Sequence, residues 1–254
     1  MELLMVGSIV LCALVGTLVG LKLLMLATRS HKFPELAIGV TLVSYAALSQ
    51  PAVLAQQALG EEASLGLRFG LFVLGILSLY VSLVALSLFT WQVFGAESRW
   101  RQALVAGVAV TALICTGLFI RATWLRLTAN APMPLYGQLG MTPHYVLTFG
   151  WMSVESLRYY ARMRRRQALG LADPVVANRF LVWGAGEGVA TLVVLVLLVV
   201  IVAQGQMLVD DPFVSGCVTL AGLVNALVWW LTFTPPAAYL RWVQGSAAQG
   251  ATDG

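Results

Sequence analysis

Seven apolar segments of membrane-spanning length follow one another along this chain and leave little sequence for a soluble domain. Crossing about 30 Å of hydrocarbon takes roughly 20 helical residues. Because backbone N–H and C=O groups cannot remain unpaired in lipid, segments of this kind must be helices. The pattern predicts helices over residues 4–27, 35–59, 65–94, 102–125, 144–163, 175–204 and 212–242.

The predicted fold is therefore an all-α integral membrane protein, a seven-transmembrane-helix bundle over residues 1–243. The first segment has no basic residues before it and is longer than the apolar core of a signal peptide, so we expect it to be a transmembrane helix. Residues 244–254 contain mainly Gly, Ala, Ser and Gln and are expected to form a disordered tail.

Charge distribution predicts the orientation of the bundle. The first, third and fifth connections between the segments are basic, whereas the second and sixth contain the acidic pairs Glu61–Glu62 and Asp210–Asp211. Lys and Arg concentrate on the cytoplasmic side of membrane proteins. We therefore expect an outside N-terminus and a cytoplasmic C-terminus, in the inner membrane of a bacterium. The fourth connection, near Arg121 and Arg126, is the one exception.

The remaining composition excludes several classes of protein. Only 10% of the residues are charged, and the basic ones form short clusters rather than a stripe, which argues against nucleic-acid binding. Cys12, Cys115 and Cys217 lie in apolar segments, far apart, so neither a disulfide framework nor a zinc site is predicted. We expect no metal and no cofactor.

Known membrane chemistries also lack their residues. Lys22 and Lys32 are the only lysines, so no lysine of the seventh segment can form a retinal Schiff base. His31 and His144, one near each face, are too few for histidine-ligated zinc and are interpreted as membrane-interface residues. No Gly-x-Ser-x-Gly element is present. We therefore expect that the protein is not an enzyme.

Glu187 is the first candidate for a functional residue, because ionisable groups inside hydrocarbon are costly and are commonly functional. It lies near the middle of the sixth segment, within Gly184-Ala185-Gly186-Glu187-Gly188. Glycines at this spacing let a neighbouring helix approach closely. Glu187 is either a functional group or a buried carboxyl that fills a hydrogen bond.

Glu155 in the fifth segment and Arg179 in the sixth lie at similar predicted depth. The sequence favours an ion pair between them, either as a packing contact or as part of a switch. Arg158, three residues after Glu155, is the alternative partner within the same helix. Four further polar residues of the apolar segments are candidates for surrounding Glu187, namely Tyr45, Gln50, Tyr80 and Asn225.

The seventh segment ends in Thr234-Pro235-Pro236-Ala237-Ala238-Tyr239. Two prolines remove two backbone donors, which predicts a kink and a hinge formed by Pro235, Pro236 and Tyr239. The Pro-x-x-Tyr element, with the predicted extracellular N-terminus, resembles the seven-helix receptors of eukaryotes. The receptor arginine motif at the end of the third helix has no counterpart, since Trp91-Gln92-Val93-Phe94 stands there.

A basic run follows the fifth segment and consists of Arg162, Arg164, Arg165 and Arg166. Such a run anchors topology against anionic lipid, and it also offers a docking surface for an acidic cytoplasmic protein. These features favour a receptor-like or sensor-like protein that passes a signal from an outer-face or intramembrane ligand to that partner. The alternatives are a transporter or channel that uses Glu187, and a non-catalytic subunit of a membrane complex or homo-oligomer.

Overall fold

The protein is described by a computed structural model over residues 2–59, 63–129, 136, 139–140, 142–204 and 211–252. The described elements are all helical. They are α1 (Glu2–Ser30), α2 (Phe33–Leu42), a π-helical stretch (Val43–Ser49), α3 (Gln50–Ala58), α4 (Leu65–Gly95), α5 (Arg99–Ala129), α6 (Thr142–Gln167), α7 (Pro174–Gln204), α8 (Pro212–Phe233) and α9 (Ala237–Thr252).

Six stretches of helix are long and apolar enough to cross a membrane, among the residues described. They are α1, the continuous run from α2 to α3, and α4, α5, α7 and α8. Large apolar side chains on their outer faces are exposed, including Leu14 and Leu18 of α1 and Leu113 and Ile114 of α5. Such surfaces are expected where lipid, rather than water, surrounds the helices.

The predicted fifth span corresponds to α6, which does not reach the apolarity of the other six. Its polar residues are instead buried against neighbouring helices, including Thr148, Ser153, Glu155 and Ser156. His144 is also buried in this helix, at 2% exposure, so its side chain faces neighbouring helices rather than lipid or water. The inward polar face of α6 explains both its lower apolarity and the position of His144.

The second predicted span is a continuous helix with a change of register near its middle. Pro51 has no N–H, and its ring would clash with the carbonyl four residues earlier in an α-helix. The π-helical stretch ends one residue before Gln50, whose N–H donates to the Tyr45 carbonyl five residues back. This wider turn accommodates the proline without breaking the helix.

The seventh predicted span is interrupted rather than kinked. α8 ends at Phe233, and Thr234, at φ −136° and ψ 48°, leaves the helical conformation. Pro235 and Pro236 lie in the gap before α9 begins at Ala237. The prediction of one helix over residues 212–242 is therefore wrong, because two consecutive prolines supply no donors to continue it. Helical backbone extends to Thr252, over residues for which we predicted disorder.

The helices pack around α4, α6 and α7, with the largest interface between α6 and α7. α1 packs against α8 and α2, whereas α5 contacts α4 and only the edge of α6. Glycines of α1 face the second span directly. A methyl group built on Gly16 would lie 2.6 Å from the Trp229 ring and 2.7 Å from Ala46. α1 is therefore held close to the π-helical stretch and to α8.

We predict that Gly16→Leu lowers the thermal stability of the detergent-solubilised protein, because the new side chain must displace Trp229 and Ala46. Overpacking of this kind costs about 1–3 kcal/mol. The matched control is Gly117→Leu on α5, where an added Cβ meets no atom within 4 Å. Equal unfolding temperatures for the two variants would show that α1 does not pack at Gly16.

Candidate functional site

Glu187 lies at a small cavity in the middle of the bundle and is 5% exposed. Five elements contribute side chains to the cavity wall: α2 with the π-helical stretch, α4, α6, α7 and α8. The lining residues are Thr41, Leu42, Tyr45, Leu79, Ser82, Leu83, Leu86, Phe149, Trp183, Glu187, Asn225 and Trp229. The structure thus brings together three of the residues predicted for a polar core, Glu187, Tyr45 and Asn225.

The glycines beside Glu187 determine how this cavity is enclosed. A methyl group on Gly186 would lie 2.5 Å from Val228 of α8, and one on Gly184 would lie 2.9 Å from Leu157 of α6. The Ser153 hydroxyl of α6 also donates to the Gly184 carbonyl at 2.7 Å. The close approach expected from the glycine spacing therefore occurs on two sides of α7.

Tyr45 reaches the cavity from the π-helical stretch, opposite Glu187. Its ring packs edge-on against Trp229, with 5.9 Å between ring centroids. An extra residue per turn rotates the side chains that follow, and π-helical turns of this kind often occur at functional sites. The π-helical stretch that precedes Pro51 therefore contains Tyr45, a polar residue of the cavity.

The size of the cavity limits what can occupy it. The space available to a water-sized sphere is about 30 Å³. One water needs roughly 10–15 Å³ by this measure, whereas sites for drug-sized molecules are about 300–1,000 Å³. In this conformation the Glu187 cavity has room for about two or three waters or a small cation.

A second cavity, of about 200 Å³, lies on the other side of Trp183. Its walls include Arg179 and Thr232, and Trp183 belongs to both cavities. The Trp183 indole N–H and the Thr232 hydroxyl are buried and have no hydrogen-bond partner among the described residues. Along α7, Glu187, Trp183 and Arg179 are therefore stacked one turn apart, with the indole between the carboxylate and the guanidinium.

Glu155 forms an ion pair with a different residue from the one predicted. Its carboxylate, 2% exposed, accepts from the Arg101 guanidinium at 2.8 Å. A second nitrogen of Arg101 donates to the Phe94 carbonyl at 2.7 Å, near the end of α4. Arg179 is exposed and lines the second cavity instead. The predicted Glu155–Arg179 contact is wrong because those side chains leave their helices in different directions.

Arg101 is the residue that sequence reasoning missed. In the sequence, Arg99 and Arg101 both belong to a basic connection between two predicted helices. In the structure both lie in the first turn of α5, and they differ in the direction of their side chains. Arg99 is exposed there, whereas Arg101 points inward and is 19% exposed. No sequence feature identified which of the two would face Glu155, and Arg158, the alternative partner, is also exposed.

The other predicted residues lie outside the Glu187 cavity. Tyr80 donates to the Ala109 carbonyl at 3.1 Å and joins α4 to α5, and Gln50 follows the π-helical stretch. Tyr239 of α9 is hydrogen-bonded to Asn178 of α7. Arg162, Arg165 and Arg166 line an open cavity of about 430 Å³ at the end of α6 with Tyr159, over whose ring Arg162 lies at 5.3 Å.

Comparison with known proteins adds no family to these observations. No protein-family model, curated protein or solved structure matches the chain. Within the residues that the structure describes, no group of three or more His, Cys, Asp or Glu side chains is placed to hold a metal ion. Function is therefore inferred from the geometry around Glu187, Trp183 and Arg101.

We predict that Arg101→Gln strongly destabilises the protein, because it leaves the Glu155 carboxylate buried without its cation. Removing one partner of a buried pair typically costs about 3–5 kcal/mol. Thermal unfolding of Arg101→Gln, Glu155→Gln and the double variant measures the coupling between them, which should be ~1–3 kcal/mol.

Arg179→Gln is the matched control, since Arg179 was the partner expected from sequence. It should change stability by about 0.5 kcal/mol or less and show no coupling to Glu155→Gln. Coupling of Glu155 to Arg179 rather than to Arg101 would contradict the observed pairing.

Proposed function

We propose that the protein is a receptor-like membrane sensor in which a proton or a small cation binds at Glu187. The observation that carries the proposal is a buried carboxylate at a cavity with room for about two or three waters. Tyr45 and Asn225 supply oxygens beside it, which are the ligands that hard cations prefer. An organic ligand would need a much larger space.

The proposal includes α6 as a seventh membrane span, with an outside N-terminus and the arginine run at the cytoplasmic face. Two observations support its inclusion. α6 is 26 residues long, and its polar side chains are buried against α4 and α7, so they need not contact lipid. The basic connections described above support the orientation. The inner membrane of a bacterium is the corresponding location.

α7 is the element proposed to transmit the signal. It contains Glu187 at the first cavity, Trp183 between the cavities, and Asn178, which is hydrogen-bonded to Tyr239 of α9. Binding at Glu187 changes the charge beside Trp183, and a shift of α7 would reach α9 through Asn178. Because the helix is interrupted at Pro235 and Pro236, helical backbone hydrogen bonds do not connect α9 to α8.

The proposed output is the arginine run at the end of α6. Arg164, Arg165 and Arg166 are exposed, and Arg162, Arg165 and Arg166 surround an open cavity. A cluster of guanidinium groups recognises carboxylate or phosphate groups on a partner. An acidic cytoplasmic protein fits this surface, and no catalytic step is assigned to the sensor itself.

A transporter is the second candidate, and the cavity beyond Trp183 favours it. If Trp183 moved, the cavity at Arg179 and the cavity at Glu187 would join into one path with a charged side chain at each end. Transport and sensing are distinguishable because only transport moves the ion across the bilayer. A subunit of a larger complex would instead be recognised by other membrane chains that copurify with it.

We predict that Glu187→Gln abolishes a fluorescence transition when the reconstituted protein is titrated with acid or with Na⁺. Trp183 and Trp229 line the cavity, so their emission reports occupation by an ion. Glu97→Gln is the matched control because Glu97 is exposed near the end of α4. An identical transition in wild type and Glu187→Gln would exclude Glu187 as the binding group.

The same proteoliposomes separate the two candidate functions. Ion flux that vanishes in Glu187→Gln would establish transport and overturn the sensor proposal. A fluorescence transition without flux supports the sensor. The absence of both flux and transition in wild type would overturn both candidates.

We predict that Tyr239→Phe uncouples α9 from Glu187, because it removes the hydroxyl that bonds Asn178. The fluorescence transition of the Glu187 cavity should occur at the same acid or Na⁺ concentration as in wild type. The distance between a spin label on α9 and one on α6 should no longer change during that transition. Double electron–electron resonance measures this distance. A preserved distance change in Tyr239→Phe would show that the signal does not pass through Asn178.

A further inference from the structure

A groove of about 570 Å³ lies between α3, α4 and α5, at the end of the bundle where α4 begins. α4 forms its floor, and α3 and α5 form its two walls. The lining residues are Val53, Gln56, Gln57, Leu59, Arg68, Phe72, Ile76, Phe119, Thr123, Arg126 and Leu127. The groove shares no residue with the Glu187 cavity.

Polar side chains lie towards one end of the groove on all three helices, where Leu59 and Leu127 also border it, and the lining deeper inside is apolar. On α4, Arg68 comes first and Phe72 lies one turn deeper. Ile76 lies about 12 Å from Arg68 along the helix axis. The same order holds on α5 from Arg126 through Thr123 to Phe119, and on α3 from Gln57 to Val53. The groove therefore has a cationic, hydrogen-bonding mouth and an apolar interior.

Polar atoms at the mouth lack partners. The Arg68 Nε and the Thr123 hydroxyl are buried and have no hydrogen-bond partner within the part of the chain that the structure describes, and Thr123 is only 7% exposed. Arg126 is exposed beside them. Among the described lining residues there is no carboxylate to neutralise the two guanidinium groups. Buried polar groups of this kind are normally satisfied by a hydrogen-bond partner.

The apolar interior is firmly built. Phe72 is buried and packs against Phe119 with 5.2 Å between ring centroids. Phe72 and Ile76 belong to a cluster that continues to Leu83. These contacts fix the walls that an apolar chain would touch.

We propose that this groove binds an anionic amphiphile, with its carboxylate or phosphate head at Arg68 and Arg126 and its acyl chain along Phe72, Ile76 and Phe119. The volume falls within the about 300–1,000 Å³ typical of sites for ligands of this size. Guanidinium groups form charge-assisted pairs with both kinds of head. A free fatty acid and a phospholipid of the bilayer are the two sources of such a molecule.

The test is a titration of the purified full chain in neutral detergent with oleate and, separately, with phosphatidylglycerol, read by native mass spectrometry. Methyl oleate and phosphatidylcholine test the head group, and inorganic phosphate tests whether the chain is needed. We expect saturable binding of at least one anionic amphiphile. Its affinity should fall roughly tenfold or more in Arg68→Gln/Arg126→Gln, because the variant removes both cations that attract the anionic head group.

Arg121→Gln is the matched control, since Arg121 is exposed on the same helix as Arg126 but does not line the groove. It should bind as wild type does, and Arg68→Lys/Arg126→Lys should retain binding. Oleate binding alone identifies a free fatty acid, and phosphatidylglycerol binding alone identifies a bilayer lipid. Equal binding of methyl oleate, equal loss in Arg121→Gln, or unchanged affinity in the folded double glutamine variant would overturn the proposal.

Discussion

The close contact of α7 with α6 and α8 is the constraint on which the interior of this bundle depends. Helix association in a bilayer gains little from the hydrophobic effect, since lipid is as apolar as leucine, and it depends on packing and interhelical hydrogen bonds. Gly184 and Gly186 provide the packing by admitting Leu157 and Val228. Ser153 provides the hydrogen bond across the same contact. Glu187 follows directly in this tightly packed stretch, which is why its carboxylate lies in an enclosed cavity.

α6 takes part in four of the side-chain polar contacts that join the described helices, more than α5, α7 or α9 does. Its Thr148 hydroxyl lies 3.5 Å from the Ser87 hydroxyl of α4, and Thr90 of α4 contacts the Met152 sulfur at 3.1 Å. Glu155 binds Arg101 one turn further along. This helix therefore has the reverse of a soluble amphipathic pattern, with polar groups inside and apolar groups such as Val154 outside. Interhelical hydrogen bonds in membranes average about 0.6 kcal/mol, so the line of contacts fixes the register of α6 more than its total stability.

Sequence patterns predicted the features that are determined within a single helix, such as its position in the chain and its closely packed face. Length and apolarity predicted the six stretches that are long and apolar enough to cross a membrane. The spacing of Gly184, Gly186 and Gly188 predicted a close contact around Glu187. Helix rotation and packing could not be predicted in the same way, because they depend on several helices together. Arg179 and Arg101 were equally available to Glu155 by charge, yet only Arg101 faces it. Likewise, Pro51 and the Pro235–Pro236 pair are similar signals, but the first widens a turn whereas the second ends a helix.

The difference between those two proline sites follows from how many donors each removes and from what surrounds them. A single missing N–H at Pro51 is accommodated by one wider turn, and the close contacts of Gly16 and Gly20 with Ala46 and Val43 hold that turn in place. Two missing donors at Pro235 and Pro236 leave two carbonyls of the preceding turn without partners. α9 is then connected to the bundle mainly through α7, by contacts that include Tyr239 and Asn178. The π-helical stretch at the Glu187 cavity is therefore held by α1, whereas α9 is held mainly by the first turns of α7. A displacement of α7 would thus move α9 more easily than the π-helical stretch.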